Sequence, residues 1–161
     1  MPSVLFVCTA NLVRSPIASA LFMYKVEQEY QMHPWIVRSW RVESAGTWAR
    51  EGELAIDSAR EVLQRKGLDI RNHRSRSVNR DLLAKFNLIL TMEKNHKEAL
   101  QVEFPEYANR IYLLSEMVGG NNDIPDPIGG MLADYQETAD DLERLIDIGF
   151  NKICQLALGD A

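Results

Sequence analysis

Cys8 and Arg14 are separated by Thr9-Ala10-Asn11-Leu12-Val13 and followed directly by Ser15-Pro16. A thiolate is a strong nucleophile, and a guanidinium fork can hold two oxygens of a tetrahedral anion at once. The residues between them are enough to curl around one phosphate with their N–H groups turned inward. Ser15 is expected as the N-cap of a helix, with Pro16 at the first helical position, where a missing N–H costs nothing. A helix start offers free N–H groups and a partial positive charge, which favour a bound oxyanion. The same field, with Arg14 and the Ser15 hydroxyl close by, favours the thiolate form of Cys8. Asn11 suits a left-handed turn within the loop. Cys8 is thus the expected nucleophile and Arg14 the clamp on a transferring phosphoryl group. Thr9, Ala10, Asn11, Leu12, Val13 and Ser15 complete the expected phosphate-binding loop.

A cysteine after an apolar strand is usually only a small buried hydrophobe. The strand before and the helix signal after raise the chemical reading above that one. Transfer of a phosphoryl group also needs a proton donor for the leaving oxygen. Asp126 is the expected general acid, held between Pro125 and Pro127, which stiffen the backbone on both sides. Asp123 is the second candidate.

These residues need a scaffold that brings distant loops together. Residues 4–7, 35–42, 87–90 and 110–114 read as buried strands, and the first and third are short continuous apolar runs. Residues 16–30, 56–65, 79–85, 94–102 and 132–158 read as helices, with Gly67 stopping the second. Strands alternating with helices imply right-handed βαβ units and a parallel sheet. Ligands in such sheets sit beyond the carboxyl ends of the strands, and Cys8 lies at such an end. The whole chain, 1–161, is expected to form one α/β domain.

The composition excludes several function classes. With 46% hydrophobic and 25% charged residues the chain is neither disordered nor fibrous. A net charge of -5 argues against a nucleic-acid partner. No apolar run is long enough to cross a membrane, and nothing reads as a secretory signal. Cys8 and Cys154 are the only cysteines, far apart, so reduced thiols in a cytoplasmic setting are expected. No nucleotide-binding glycine motif follows the first strand, and His33, His73 and His96 show no paired metal-ligand spacing.

The motifs together resemble the low-molecular-weight protein tyrosine phosphatase family over nearly the whole chain. The resemblance rests on Val4-Leu5-Phe6-Val7-Cys8 through Arg14-Ser15-Pro16-Ile17-Ala18 and on Val42-Glu43-Ser44-Ala45-Gly46-Thr47. It extends to Gly67-Leu68-Asp69-Ile70 with His73-Arg74-Ser75-Arg76, to Leu88-Ile89-Leu90-Thr91-Met92 and to Asp126-Pro127. It implies a four-stranded parallel sheet with helices on both faces and no cofactor or metal. It also implies a phosphocysteine intermediate, phosphorylated proteins as substrates, and inorganic phosphate or similar oxyanions as competing ligands. By the same resemblance Asn11, Ser44 and His73 form a network supporting the loop.

The departures from the family pattern carry information. Val13 stands where many members keep a second loop cysteine, so a protective disulfide to Cys8 is not expected. Ala10 replaces a usual glycine, and Glu93 replaces a usual aspartate in what reads as a structural role. After Asp126 the chain has Ile128-Gly129-Gly130 where tyrosine-specific members place aromatic residues, which resembles the protein arginine phosphatase branch. Leu12, however, is an aliphatic residue of the tyrosine type, where that branch has threonine. Trp48 and Ile128 are expected near the substrate, Trp48 as a possible aromatic wall. Hydrolysis of phosphotyrosine is the leading expectation, a protein arginine phosphatase the alternative, and an inactive phosphate-binding module a more distant one. A thiol reductase is excluded because no cysteine lies between Cys8 and Cys154 to relay a disulfide.

Overall fold

Strand β1 (Ser3–Cys8) is buried along its whole length, because it lies inside a sheet covered on both sides. Its side chains alternate between two cores, as the period of a strand requires. Val4, Phe6 and Cys8 join a large cluster with helices α1 (Arg14–Glu29), α3 (Asp57–Arg65) and α6 (Leu132–Ala157). Leu5 and Val7 join a smaller one with Leu82 and Leu83 of α4 (Arg80–Leu83) and Leu100 of α5 (Lys94–Glu103). Each large side chain so buried contributes about 1.5–3 kcal/mol. This two-sided burial explains why residues 4–7 read as an unbroken apolar run.

The computed structural model describes residues 1–159; residues 160–161, the end of the expected domain, lie outside them. Among the described residues four parallel strands form one sheet in the order β2-β1-β3-β4. The partners of β1 are β2 (Arg41–Gly46) and β3 (Leu88–Thr91), and β4 (Ile111–Leu113) closes the far edge. Register sets Cys8 opposite Gly46, and Val7 opposite Thr91. The segments that leave β1, β2 and β3 therefore emerge side by side at one edge of the sheet. There the winding reverses, from β2 on one side of β1 to β3 on the other. The expected α/β class and the four-stranded parallel sheet with helices on both faces are what the structure shows.

One expected strand is displaced. Residues 35–42 do not form it; Pro34–Ser39 is a short helix, α2, and β2 starts at Arg41. Pro34 is the physical reason, since its fixed φ suits the first turn of a helix and removes an N–H a strand would need. Trp35 is exposed beside the His33 ring, and Trp40 ends α2 against the edge of Phe22, 5.2 Å between centroids. The other elements fall within a few residues of their expected bounds.

Candidate active site

Residues 9–13 turn back on themselves between β1 and α1, and their carbonyl groups are fastened outward. The Cys8 and Thr9 carbonyls accept from the N–H groups of Thr47 and Trp48, at 2.9 and 3.0 Å. The Leu12 carbonyl accepts from Ile56 N–H, and the Val13 carbonyl from Ile17 N–H. The Asn11 carbonyl accepts from His73 Nε2 at 2.7 Å, which fixes the proton of that ring on Nε2. Among the described residues the N–H groups of residues 9–15 find no acceptor in the protein. A backbone with its oxygens pulled out and its N–H groups free is an anion cradle.

Asn11 makes the turn possible. Its φ of 59° is the only positive value among the described non-glycine residues, so Ala10 needs no glycine-like conformation. Fully buried, the Asn11 amide uses every atom: Nδ2 donates to Ser15 Oγ at 2.8 Å and to Ser44 Oγ at 2.9 Å. Its Oδ1 accepts from Arg76 N–H at 3.1 Å. Burial holds His73 below its ordinary value against the opposing bond to the Asn11 carbonyl, with Arg76 and Arg74 acting in the same direction as burial. Gly46 lets β2 approach: a Cβ there would lie 2.3 Å from the Thr9 carbonyl oxygen. Asn11→Ala is expected to destabilise the fold by about 3 kcal/mol, from left-handed strain and abandoned buried partners. Asn11→Gly removes the strain and should recover about 1 kcal/mol of that loss. Urea unfolding of the three proteins measures both.

Ser15 corrects its expected role. The helix begins two residues earlier, at Arg14, with Val13 in the cap position and no side-chain cap. Ser15 and Pro16 lie inside the first turn, where a missing N–H is still harmless. The Ser15 hydroxyl is drawn into the loop instead: it accepts from Asn11, donates to the Ala45 carbonyl at 3.2 Å, and lies 3.0 Å from Cys8 Sγ. When Cys8 is a thiol it can donate to Ser15, and when it is a thiolate the Ser15 proton can swing toward sulfur. The hydroxyl thus solvates both forms of a buried group.

Arg14 is 2% exposed, and both ends of its guanidinium are engaged. Nη1 donates to Glu93 Oε2 at 2.6 Å and to the Ile124 carbonyl at 2.8 Å. Nη2 approaches Thr9 Oγ1 at 3.4 Å and Asp126 Oδ2 at 3.5 Å. Asp126 is partly exposed, and its Oδ1 accepts from Ile128 N–H at 3.0 Å. Cys8, Ala10, Leu12, Val13, Arg14, Asp126 and Ile128 line one narrow pocket. Asp123, the second candidate acid, is occupied elsewhere: its Oδ1 accepts from Lys94 N–H at the start of α5. Trp48 is 86% exposed and does not line that pocket; its backbone, not its ring, meets the loop.

The site holds two residues that the sequence does not assign to it. Glu93, expected only in a structural role, holds Arg14, and the buried His96 reaches Thr9 Oγ1 at 2.8 Å. The available signal was the Glu-x-x-His spacing at the start of α5, a pattern of reciprocal capping.

The surroundings of the two thiols bear on oxidation. Val13 lines the pocket beside Cys8 and supplies no sulfur. Cys154 sits half-buried on α6, and burial pushes its thiol up to about 11. Excess peroxide is therefore expected to inactivate the protein past the stage a thiol reductant reverses, with mass spectrometry finding sulfinic Cys8. Full recovery in dithiothreitol would contradict this.

The chain is similar to known proteins in both sequence and fold. Residues 3–153 match the family described as low molecular weight phosphotyrosine protein phosphatase. A protein-arginine-phosphatase of Geobacillus stearothermophilus is 37% identical over 145 residues, covering 89% of this chain and 90% of that protein. The crystal structure of a low molecular weight protein tyrosine phosphatase from T. tengcongensis superposes with a TM-score of 0.85 at 38% identity, covering 94% and 99% of the two chains. The tyrosine phosphatase Wzb of Escherichia coli K30, solved in complex with sulphate, superposes at 0.80 with 26% identity over 97% of this chain and 99% of its own.

Proposed function

This chain belongs to the low molecular weight phosphotyrosine protein phosphatase family, and from that premise we propose that it hydrolyses phosphotyrosine in proteins through a phosphocysteine intermediate. The observation that carries the reading is the loop of outward-fastened carbonyls closing around Cys8, with Arg14 and Asp126 in the same pocket. The free N–H groups and Arg14 bind the three peripheral phosphate oxygens. Cys8 sulfur attacks phosphorus in line; the S–P bond forms as the P–O bond to the tyrosine breaks. Asp126 gives its proton to the departing phenolate oxygen. A water then attacks phosphorus, Asp126 takes the water's proton, and the S–P bond breaks to release phosphate and restore the thiolate. Nucleophile, clamp and acid are all side chains, so this chemistry calls for no metal or cofactor. Inorganic phosphate and similar oxyanions would compete for the same cradle.

Among the described residues no helix is long and apolar enough to cross a membrane. A nucleophile that must stay reduced points to the cytoplasm as the working compartment.

Specific observations favour a second reading, phosphoarginine as substrate. Ile128-Gly129-Gly130 gives the pocket no aromatic wall, Tyr135 is buried in the core rather than facing substrate, and the Geobacillus relative is named for that activity. Leu12, which lines the pocket, supports the tyrosine reading. The test measures phosphate release from phosphotyrosine and phosphoarginine peptides in reductant and EDTA, with Cys8→Ser as control. Preference for phosphotyrosine supports the proposal, preference for phosphoarginine replaces it by the second reading, and release from neither leaves a binding module.

Asp126→Asn is expected to lower kcat on phosphotyrosine peptides about a hundredfold, the usual worth of a general acid. The loss should shrink for aryl phosphates with more acidic leaving groups, which need less protonation. A loss independent of leaving group would remove Asp126 from that role.

A further inference from the structure

His96 is 3% exposed, and its two ring nitrogens serve different parts of the molecule. Nδ1 accepts from the N–H of Glu93 at 3.1 Å, so the ring proton of the neutral form belongs to Nε2. Nε2 then donates to Thr9 Oγ1 at 2.8 Å. Thr9 Oγ1 also faces Arg14 Nη2, and Arg14 Nη1 returns to Glu93 Oε2. Glu93, Arg14, Thr9 and His96 therefore close a ring of contacts directly behind the phosphate clamp. With both lone pairs of the Thr9 oxygen faced by donors, its own proton is left for a bound anion.

From this geometry we infer that His96 is a positioning residue for Arg14 and Thr9, and that its protonation disassembles the clamp. This rests on the phosphatase reading above and goes beyond it. A proton on Nδ1 would oppose the Glu93 N–H, donor against donor. The resulting cation would compete with Arg14 for Glu93 Oε2, which lies 3.5 Å from Nε2. Burial holds the ring below its ordinary value, and Arg14 pushes the same way, while Glu93, Asp123 and Asp126 push back. The clamp is thus intact at neutral pH and fails only as pH falls through the ring's own value, which lies beneath the ordinary histidine value of about 6.5. The sign follows linkage: a group whose folded-state affinity for protons is depressed stabilises the fold above its unfolded value and loses that contribution on acidification.

Two conservative variants separate this role from simple packing. Asparagine places an acceptor where Nδ1 lies and keeps the contact to Glu93, but has no donor at the Nε2 position. Glutamine places an amide donor near Nε2 and keeps the contact to Thr9, but loses the cap. His96→Asn is therefore expected to be the more stable variant, with kcat about a hundredfold below wild type, the order of loss for a misplaced catalytic group. His96→Gln should unfold at lower urea yet recover most of that kcat. The acid limb belonging to His96 should vanish from the kcat profile of both, since the substrate's own ionisation is common to all three proteins.

If His96→Asn equals or exceeds His96→Gln in both stability and kcat, or if the acid limb survives in both, the inference fails. A wild type without activity would instead sink the phosphatase reading, and ring ¹⁵N shifts then decide this inference alone. They should show Nε2–H in the neutral ring, and sulfate, whose charge is constant here, should bind more weakly once His96 is protonated. A merely added positive charge would strengthen sulfate binding; that result, or a proton on Nδ1 of the neutral ring, overturns the inference.

Discussion

Replacing Cys8 by serine should abolish turnover, with kcat falling about 10⁵-fold or more, the scale seen when a covalent nucleophile is removed, while oxyanion binding survives. The reason lies in what the substitution leaves untouched. The carbonyls of the loop remain fastened to Thr47, Trp48, His73 and Ile56, and Arg14 remains on Glu93 and Ile124. The cradle therefore still binds sulfate or phosphate. What disappears is the sulfur nucleophile; a serine hydroxyl is a far weaker one, and the side chain at this position is hydrogen-bonded to Ser15 rather than to a base. Isothermal titration with sulfate and a phosphate-release assay separate the two effects. Loss of both would mean that Cys8 is structural, and retention of turnover would remove it from the chemistry.

Arg14→Lys should lower kcat about 10³-fold although the charge is kept, since an arginine held on a transferring phosphoryl group is worth at least that. Lysine can keep the pairing with Glu93. It cannot at once reach the Ile124 carbonyl and present a second nitrogen beside Thr9 and Asp126, as the fork does. The Ile124 contact ties down the segment that carries Asp126, so the acid should lose its position together with the clamp. The diagnostic is coupling. In the double variant Arg14→Lys/Asp126→Asn the losses should be less than additive, because the first already displaces the acid. Strict additivity would show that Arg14 binds phosphate without positioning Asp126.

The chemistry of the loop could be read in the sequence because it is local. Cys8, Asn11, Arg14 and Ser15 lie within one turn of chain, and the strand and helix flanking them have strong signals of their own. Asp126 was legible through its prolines. Ser44 and His73 were reachable only through family resemblance, since no local pattern links them to Asn11, 33 and 62 residues away. Glu93 and His96 show the limit most clearly. Their partners Arg14 and Thr9 lie 79 and 87 residues off, and only the register that sets β3 beside β1 brings them together. Residues 35–42 misled for another reason: a short apolar run does not distinguish strand from helix, and Pro34 decides it. Ser15 had the chemistry of a cap, but its burial beside Cys8 turned the hydroxyl to the loop.

The phosphocysteine itself can be looked for by stopping the wild-type protein with alkaline denaturant, in which a sulfur–phosphorus bond survives, within milliseconds of mixing it with a phosphotyrosine peptide, and mapping phosphate by mass spectrometry at alkaline pH. One added phosphoryl group is expected on the peptide containing Cys8, formed and lost at rates consistent with turnover. Rapid phosphate release with Cys8 never modified would contradict it, and would mean that water attacks the bound phosphate directly.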